Sequence, residues 1–149
     1  MPRLVTLLAS IATLFALPLR AEEAPKQASL EGVHGCYEMR TYTAADGKLE
    51  ALHARFRDHT NKLFLKHGMT LIGYWTPAAP DKAGETDRSK NTLVYILAYP
   101  DRESREKMWK AFQSDPEWKK AREDSEKDGK LVLKVESVFM TPTDFSPVK

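Results

Sequence analysis

The stretch "NTLVYILAY" (91–99) constrains this chain more than any other. It has the length and the β-branched and aromatic content of a strand, and Pro100 ends it. Alternation puts Thr92, Val94, Ile96 and Ala98 on one face and Leu93, Tyr95, Leu97 and Tyr99 on the other. A sheet with one wet face alternates apolar with polar residues. This strand does not, so both of its faces need cover.

Its neighbours supply the rest of a fold. "CYEMRTYT" (36–43), "MTLIGYWT" (69–76) and "KLVLKVESVFMTP" (130–142) read as three further strands. On the first, Tyr37, Met39 and Thr41 face one way, and Cys36, Glu38, Arg40 and Tyr42 the other. Residues 45–68 change period: Leu49, Leu52, Phe56 and Leu63 fall on one helical stripe, with Asp46 expected as N-cap and Gly68 as the stop. A Pro-, Gly- and charge-rich loop spans 77–90. Asp101 is placed to cap a helix over "RESREKMWKAFQS", with Met108, Trp109 and Phe112 inward. Gly129 closes a second short, mostly solvated helix. The order strand, helix, strand, strand, helix, strand predicts an α+β, ferredoxin-like βαββαβ fold. It is a four-stranded antiparallel sheet with helices on one face. A second copy of the sheet is the simplest cover for the other face, so patterning predicts a homodimer.

"QSDPEWKKAR" (113–122) poses a sharper question, because Asp115 and Glu117 have the look of a catalytic carboxylate pair. Local chemistry accounts for each residue without catalysis. Proline disfavours helix in the residue before it, which places Asp115 at an N-cap. Pro116 suits the first helical position, Glu117 suits the helix dipole, and Trp118 can pin the short helix to the preceding one.

The amino-terminal end has a different character. "MPR" is basic, residues 4–19 carry no charge, and "RAEEAPK" turns polar. That is the layout of a signal peptide over 1–21, followed by a flexible linker over 22–34 and a folded domain over 35–147. Sixteen residues fall short of the roughly 20 a spanning helix needs, so no integral membrane span is expected after cleavage. The expected localisation is export, periplasmic or secreted. The leader holds Arg3 and Arg20 and no acid, so 23 basic and 21 acidic residues become 21 of each. A neutral domain lacks the basic surplus of a nucleic-acid binder. The single cysteine, Cys36, has no internal disulfide partner and reads as a small buried residue at a strand start.

Four blocks, "YEMRTYT", "HGMTLIGYWTP", "NTLVYILAYPDRESREKMWKAFQSDPEWKKA" and "VFMTPTDFSP", together resemble the NIPSNAP family in order and spacing, over about residues 36–147. The resemblance implies the dimeric α/β barrel group, in which two sheets pack face to face in a homodimer and a cleft lies between each sheet and its helices. It implies no catalytic motif that can be carried over. Relatives in that group include small monooxygenases, haem enzymes and enzymes that degrade aromatic compounds. Eukaryotic members are associated with mitochondria, vesicle transport and the flagging of damaged mitochondria. Those roles are not carried over to a single domain with an export leader.

The residues offer several candidates for a ligand site. His53 and Thr60 share a helical stripe with Leu49 and Phe56, and buried polar groups need partners, so both are expected in a pocket between helix and sheet. His53, His59 and His67 lack the spacing of a helical zinc pair, and no metal is expected. Arg40 reads two ways: a guanidinium that orients an anion in the cleft, or a same-face ion pair with Glu38. Tyr42 shares that face. Tyr74, Trp75, Tyr95, Tyr99, Trp109 and Trp118 are expected mostly in core and dimer packing, with some around a cavity for a flat or apolar molecule. Arg102, Arg105 and Lys107 read as a solvated helix face. "GxGxxG", Walker, "GxSxG" and paired-cysteine metal motifs are lacking, so no cofactor is expected. Two functions remain. One is a small-molecule-binding or protein-interaction module. The other is a cofactor-independent monooxygenase or isomerase, with Arg40, His53 and Tyr95 near the cleft.

Overall fold

A computed structural model describes residues 35–148. The expected leader and the whole of the expected linker lie outside them. The elements are β1 (Cys36–Ala44), α1 (Leu49–Arg55), a π-helical turn (Phe56–Thr60), α2 (Asn61–Lys66), β2 (Thr70–Trp75), β3 (Thr92–Tyr99), α3 (Arg102–Ser114), α4 (Pro116–Ser125) and β4 (Val132–Met140). The sheet runs β2-β3-β1-β4 with every pairing antiparallel, the ferredoxin-like order that the sequence predicts. Among the described residues no helix is long and apolar enough to cross a membrane.

Two local expectations need correction. Asp46 does not cap the first helix. It sits in a turn with Gly47 at φ +68, closed by the Lys48 amide on the Ala45 carbonyl at 2.9 Å, and the helix begins at Leu49 without a side-chain cap. The helix over 49–66 is also interrupted. Thr60 Oγ1 donates to the Arg55 carbonyl at 3.2 Å across the π-helical turn, an arrangement common at functional sites. Other signals hold. Gly68, at φ +80, lets the Met69 amide fold back onto the Phe64 carbonyl at 3.0 Å. Asp101 accepts from the Ser104 amide at 2.6 Å.

The core lies between the sheet and the helices. Leu93, Tyr95, Leu97 and Tyr99 bring one face of β3 against Leu52, Phe56, Phe64, Trp109 and Phe112. Phe64 is the hub, with ring centroids 4.8 Å from Phe112 and 5.6 Å from Trp109. Cys36 is buried at the start of β1, as expected. Helix cover stops short of β4. Val135 pairs with Tyr42 and Phe139 with Glu38, so both point to the helix side, yet both are exposed. On the opposite face Val94 and Ile96 are half-buried, and Val138 and Trp75 are half-exposed. Trp75 folds over Gly73, whose added Cβ would stand 2.6 Å from the indole.

Candidate functional site

The gap beside β4 opens into a cavity of about 630 Å³. Arg40 and Tyr42 of β1 and Val132 and Val135 of β4 form its floor. Arg55, Phe56, Thr60 and Phe64 form one wall, Trp109 and Phe112 a second, and Trp118, Lys119, Arg122 and Glu126 of α4 a third, with Lys130 at the mouth.

The "DPEW" segment builds the α4 wall. Asp115 accepts from the Glu117 amide at 2.8 Å, Pro116 opens the helix, and the Trp118 ring lies 4.5 Å from Phe112. Asp115 also takes His67 Nε2 at 2.7 Å and Lys66 Nζ at 2.9 Å. Hydrogen bonds from Lys66 and His67 hold its carboxyl well below the usual range. Asp115 and Glu117 are therefore helix punctuation plus a tether to α2. At its other end, α4 is held by Glu126, which meets Arg55 at 3.1 Å.

Arg40 sits in a buried charged network. Glu38 is fully buried and accepts from Arg40 Nη1 at 2.6 Å, from Arg105 Nη2 and Nε at 2.7 and 2.8 Å, from Ser137 Oγ at 2.5 Å and from Tyr99 OH at 3.2 Å. Burial alone pushes a carboxyl up. Hydrogen bonds from Arg105, Ser137 and Arg40 outweigh it and hold Glu38 at about 2. Arg105 is thus not part of a solvated helix face: the carboxylate of β1 draws it inward. Tyr99 OH also accepts from Trp109 Nε1 at 2.7 Å, which fixes the indole. The Arg40 guanidinium stacks on that indole, 4.3 Å from a ring centroid. Both readings of Arg40 meet here, since it pairs with Glu38 and lines the cavity.

The candidates divide. Arg40, Tyr42, Thr60 and Trp109 line the same cavity. Thr60 spends its hydroxyl proton on the π-helical turn. Tyr95 lies behind the floor, fully buried, and donates to Tyr42 OH at 2.9 Å. Burial raises its phenol well above the ordinary range. His53 and Tyr74 line a separate groove of about 330 Å³ with Trp75 and Thr76. His53 therefore does not share a pocket with Thr60. The intervening π-helical turn winds less per residue and breaks the alignment that a straight α-helix gives them. His53 Nε2 lies 3.3 Å from Thr76 Oγ1, and its Nδ1 lies 3.6 Å from Glu50. Burial pushes the Tyr74 phenol up.

The sequence gives no direct pointer to Lys119, Arg122 and Lys130 as cavity residues, whereas Trp118 is one of the aromatics expected around a cavity. Arg55 had a legible signal, an arginine between Leu52 and Phe56 on an apolar stripe. Among the described residues, no three His, Cys, Asp or Glu side chains gather as a metal site.

Comparison with known proteins places this architecture. The family model of NIPSNAP matches residues 37–147. A crystal structure of a NIPSNAP family protein of unknown function from Agrobacterium tumefaciens is 26% identical and superposes with a TM-score of 0.62, over 78% of this chain and 95% of that one. An uncharacterised NIPSNAP domain protein from Burkholderia xenovorans is 25% identical, with a TM-score of 0.59 over 75% of this chain and 98% of that one. A NIPSNAP-like domain protein from the same species, 20% identical, shares the fold at a TM-score of 0.63, over 77% of this chain and 91% of that one. No functionally curated protein matches. With four sequence blocks, the strand order and the family model in agreement, the chain belongs to the NIPSNAP family.

Proposed function

We propose that this domain is a small-molecule-binding module that takes a flat, largely apolar molecule into the cavity between β1, β4 and the helices. The observation that carries this reading is the aromatic lining. Tyr42, Phe56, Phe64, Trp109, Phe112 and Trp118 surround a space of about 630 Å³. That is within the roughly 300–1,000 Å³ of ligand sites.

The side chains favour holding over turnover. Glu38 is saturated by five hydrogen bonds and held ionised. Tyr95 keeps its proton through burial. His53 opens on the other groove. Neither Glu38 nor Tyr95 is a general base poised near neutral pH. The alternative is a cofactor-independent monooxygenase or isomerase acting on a small aromatic substrate. It draws on the Tyr42–Tyr95 hydroxyl pair beside Arg40, a set able to hold an oxyanion.

We further propose export, from the leader, and a homodimer through the sheet face carrying Val94, Ile96 and Val138. Native mass spectrometry of protein recovered from its producing cell tests these readings together. A dimer beginning near residue 22, with extra mass that Trp118→Ala abolishes, is the expected result. Recovery without extra mass, combined with oxygen uptake on an aromatic substrate, would move the assignment to the enzyme.

A further inference from the structure

The cavity is not electrically neutral. Among the described residues, Arg40, Arg55, Lys119, Arg122 and Lys130 line it against Glu126, and Glu38 behind the floor pairs with Arg40 at 2.6 Å, which leaves an excess of three positive charges. The whole chain carries a formal net charge of only +2, so the excess is local. Glu126 cannot neutralise it. It is shared between Arg55 at 3.1 Å and Arg122 at 3.4 Å. Aromatic walls strengthen the field of such charges by excluding water.

Two of the cations are placed at a cost. The Arg55 side chain is 4% exposed and that of Arg40 13% exposed. In each, the Nε–H is buried without an acceptor among the described residues. A buried guanidinium with an unmet donor is expensive unless a ligand or function uses its charge. Its flat fork suits a planar carboxylate, and its face suits an aromatic ring.

We infer that the ligand of this cavity is a flat organic acid: an aromatic body held among Trp109, Trp118 and Phe64, with one carboxylate drawn to the Arg40 and Arg55 guanidiniums and steered in by the α4 cations. This rests on the proposal that the cavity binds a small flat molecule, and adds its charge. Neutral molecules of the same shape gain the stacking and lose the guanidinium contact.

The test compares a naphthoate with its neutral carboxamide, which share a ring system. Each is titrated into the full-length protein at neutral pH, followed by quenching of Trp109 and Trp118 fluorescence and by calorimetry. The expected result is at least tenfold tighter binding of the naphthoate, since one hydrogen bond to a charged group contributes about 10- to 100-fold. Raising salt from about 0.1 to 1 M is expected to weaken the naphthoate alone, as screening tightens to about 3 Å. Arg40→Met is expected to erase the preference. The paired variant Lys119→Gln with Arg122→Gln alters exposed positions, keeps the fold, and is expected to reduce the preference severalfold. Equal affinities, or a preference that survives in both variants, would overturn the inference and leave the binding reading standing. Failure of both probes by both readouts would overturn the binding reading and this inference with it.

Discussion

Glu38→Gln tests the physical account of the site most directly. Glu38 is fully buried on the helix side of β1, and its carboxylate offsets two guanidiniums. Its carboxyl is lowered from an ordinary 4.5 to about 2, with burial opposing and the Arg105, Ser137 and Arg40 bonds prevailing. At about 1.4 kcal/mol per tenfold change in proton affinity, ionised Glu38 contributes about 3 kcal/mol at neutral pH. A neutral amide also leaves Arg40 and Arg105 without their counter-charge, a loss of about 3–5 kcal/mol in comparable buried pairs. The folded value lies below the unfolded one, so this stability is present above pH 4.5 and fades as pH falls towards 2. The ionisation part should shrink to about 1 kcal/mol by roughly pH 3. Urea unfolding of both proteins at several pH values measures it. Taking the difference between them cancels the titration of carboxylates common to both. A gap under about 1 kcal/mol at neutral pH, or one that stays constant down to pH 3, would refute the network as described.

Two further outcomes follow from packing. Gly68→Ala forces a side chain into φ +80, with Met108 Cε 3.3 Å from the new Cβ. It should lower stability by about 1–2 kcal/mol in urea unfolding, and an unchanged midpoint would deny the strained turn. Val138→Glu places a charge on the proposed dimer face, where Val138 is half-exposed beside Met39. Sedimentation should find the parent dimeric and the variant monomeric with unchanged circular dichroism, and a dimeric variant would move the interface elsewhere.

How legible the protein was in its sequence depended on the range of the interaction. The strands of 36–44 and 92–99, the Asp101 and Asp115 caps and the Gly68 stop are local events, and each is where its chemistry puts it. The Asp46 cap failed because a glycine turn two residues before Leu49 competed with it. The π-helical turn carries no composition signal, and it separates His53 from Thr60, which periodicity had joined. Arg105 is the plainest case of distance. Glu103, Glu106 and Lys107 around it in sequence suggest a solvated face, yet it is turned inward by a carboxylate 67 residues away. The cationic lining was illegible for the same reason. Arg40, Arg55 and Arg122 come from three elements and meet only after the sheet and α4 are assembled.

Glu126→Gln separates stability from binding. Glu126 ties the end of α4 to Arg55 at 3.1 Å and, among the described residues, is the one carboxylate in the cavity lining. Burial raises its carboxyl and the Arg55 hydrogen bond and charge lower it further, so it is ionised at neutral pH. Removing the charge leaves Arg55 buried without its partner, which should cost about 1–3 kcal/mol in urea unfolding. The same change raises the cationic excess around the cavity from three to four. A naphthoate should then bind several-fold tighter while its neutral carboxamide is unaffected. A variant that merely loosened α4 would lose both ligands together, because Trp118 sits on that helix. Lower stability with tighter anion binding is a combination that damage to the wall cannot produce. Loss of both would show that Glu126 shapes the cavity and that its charge is immaterial to the ligand.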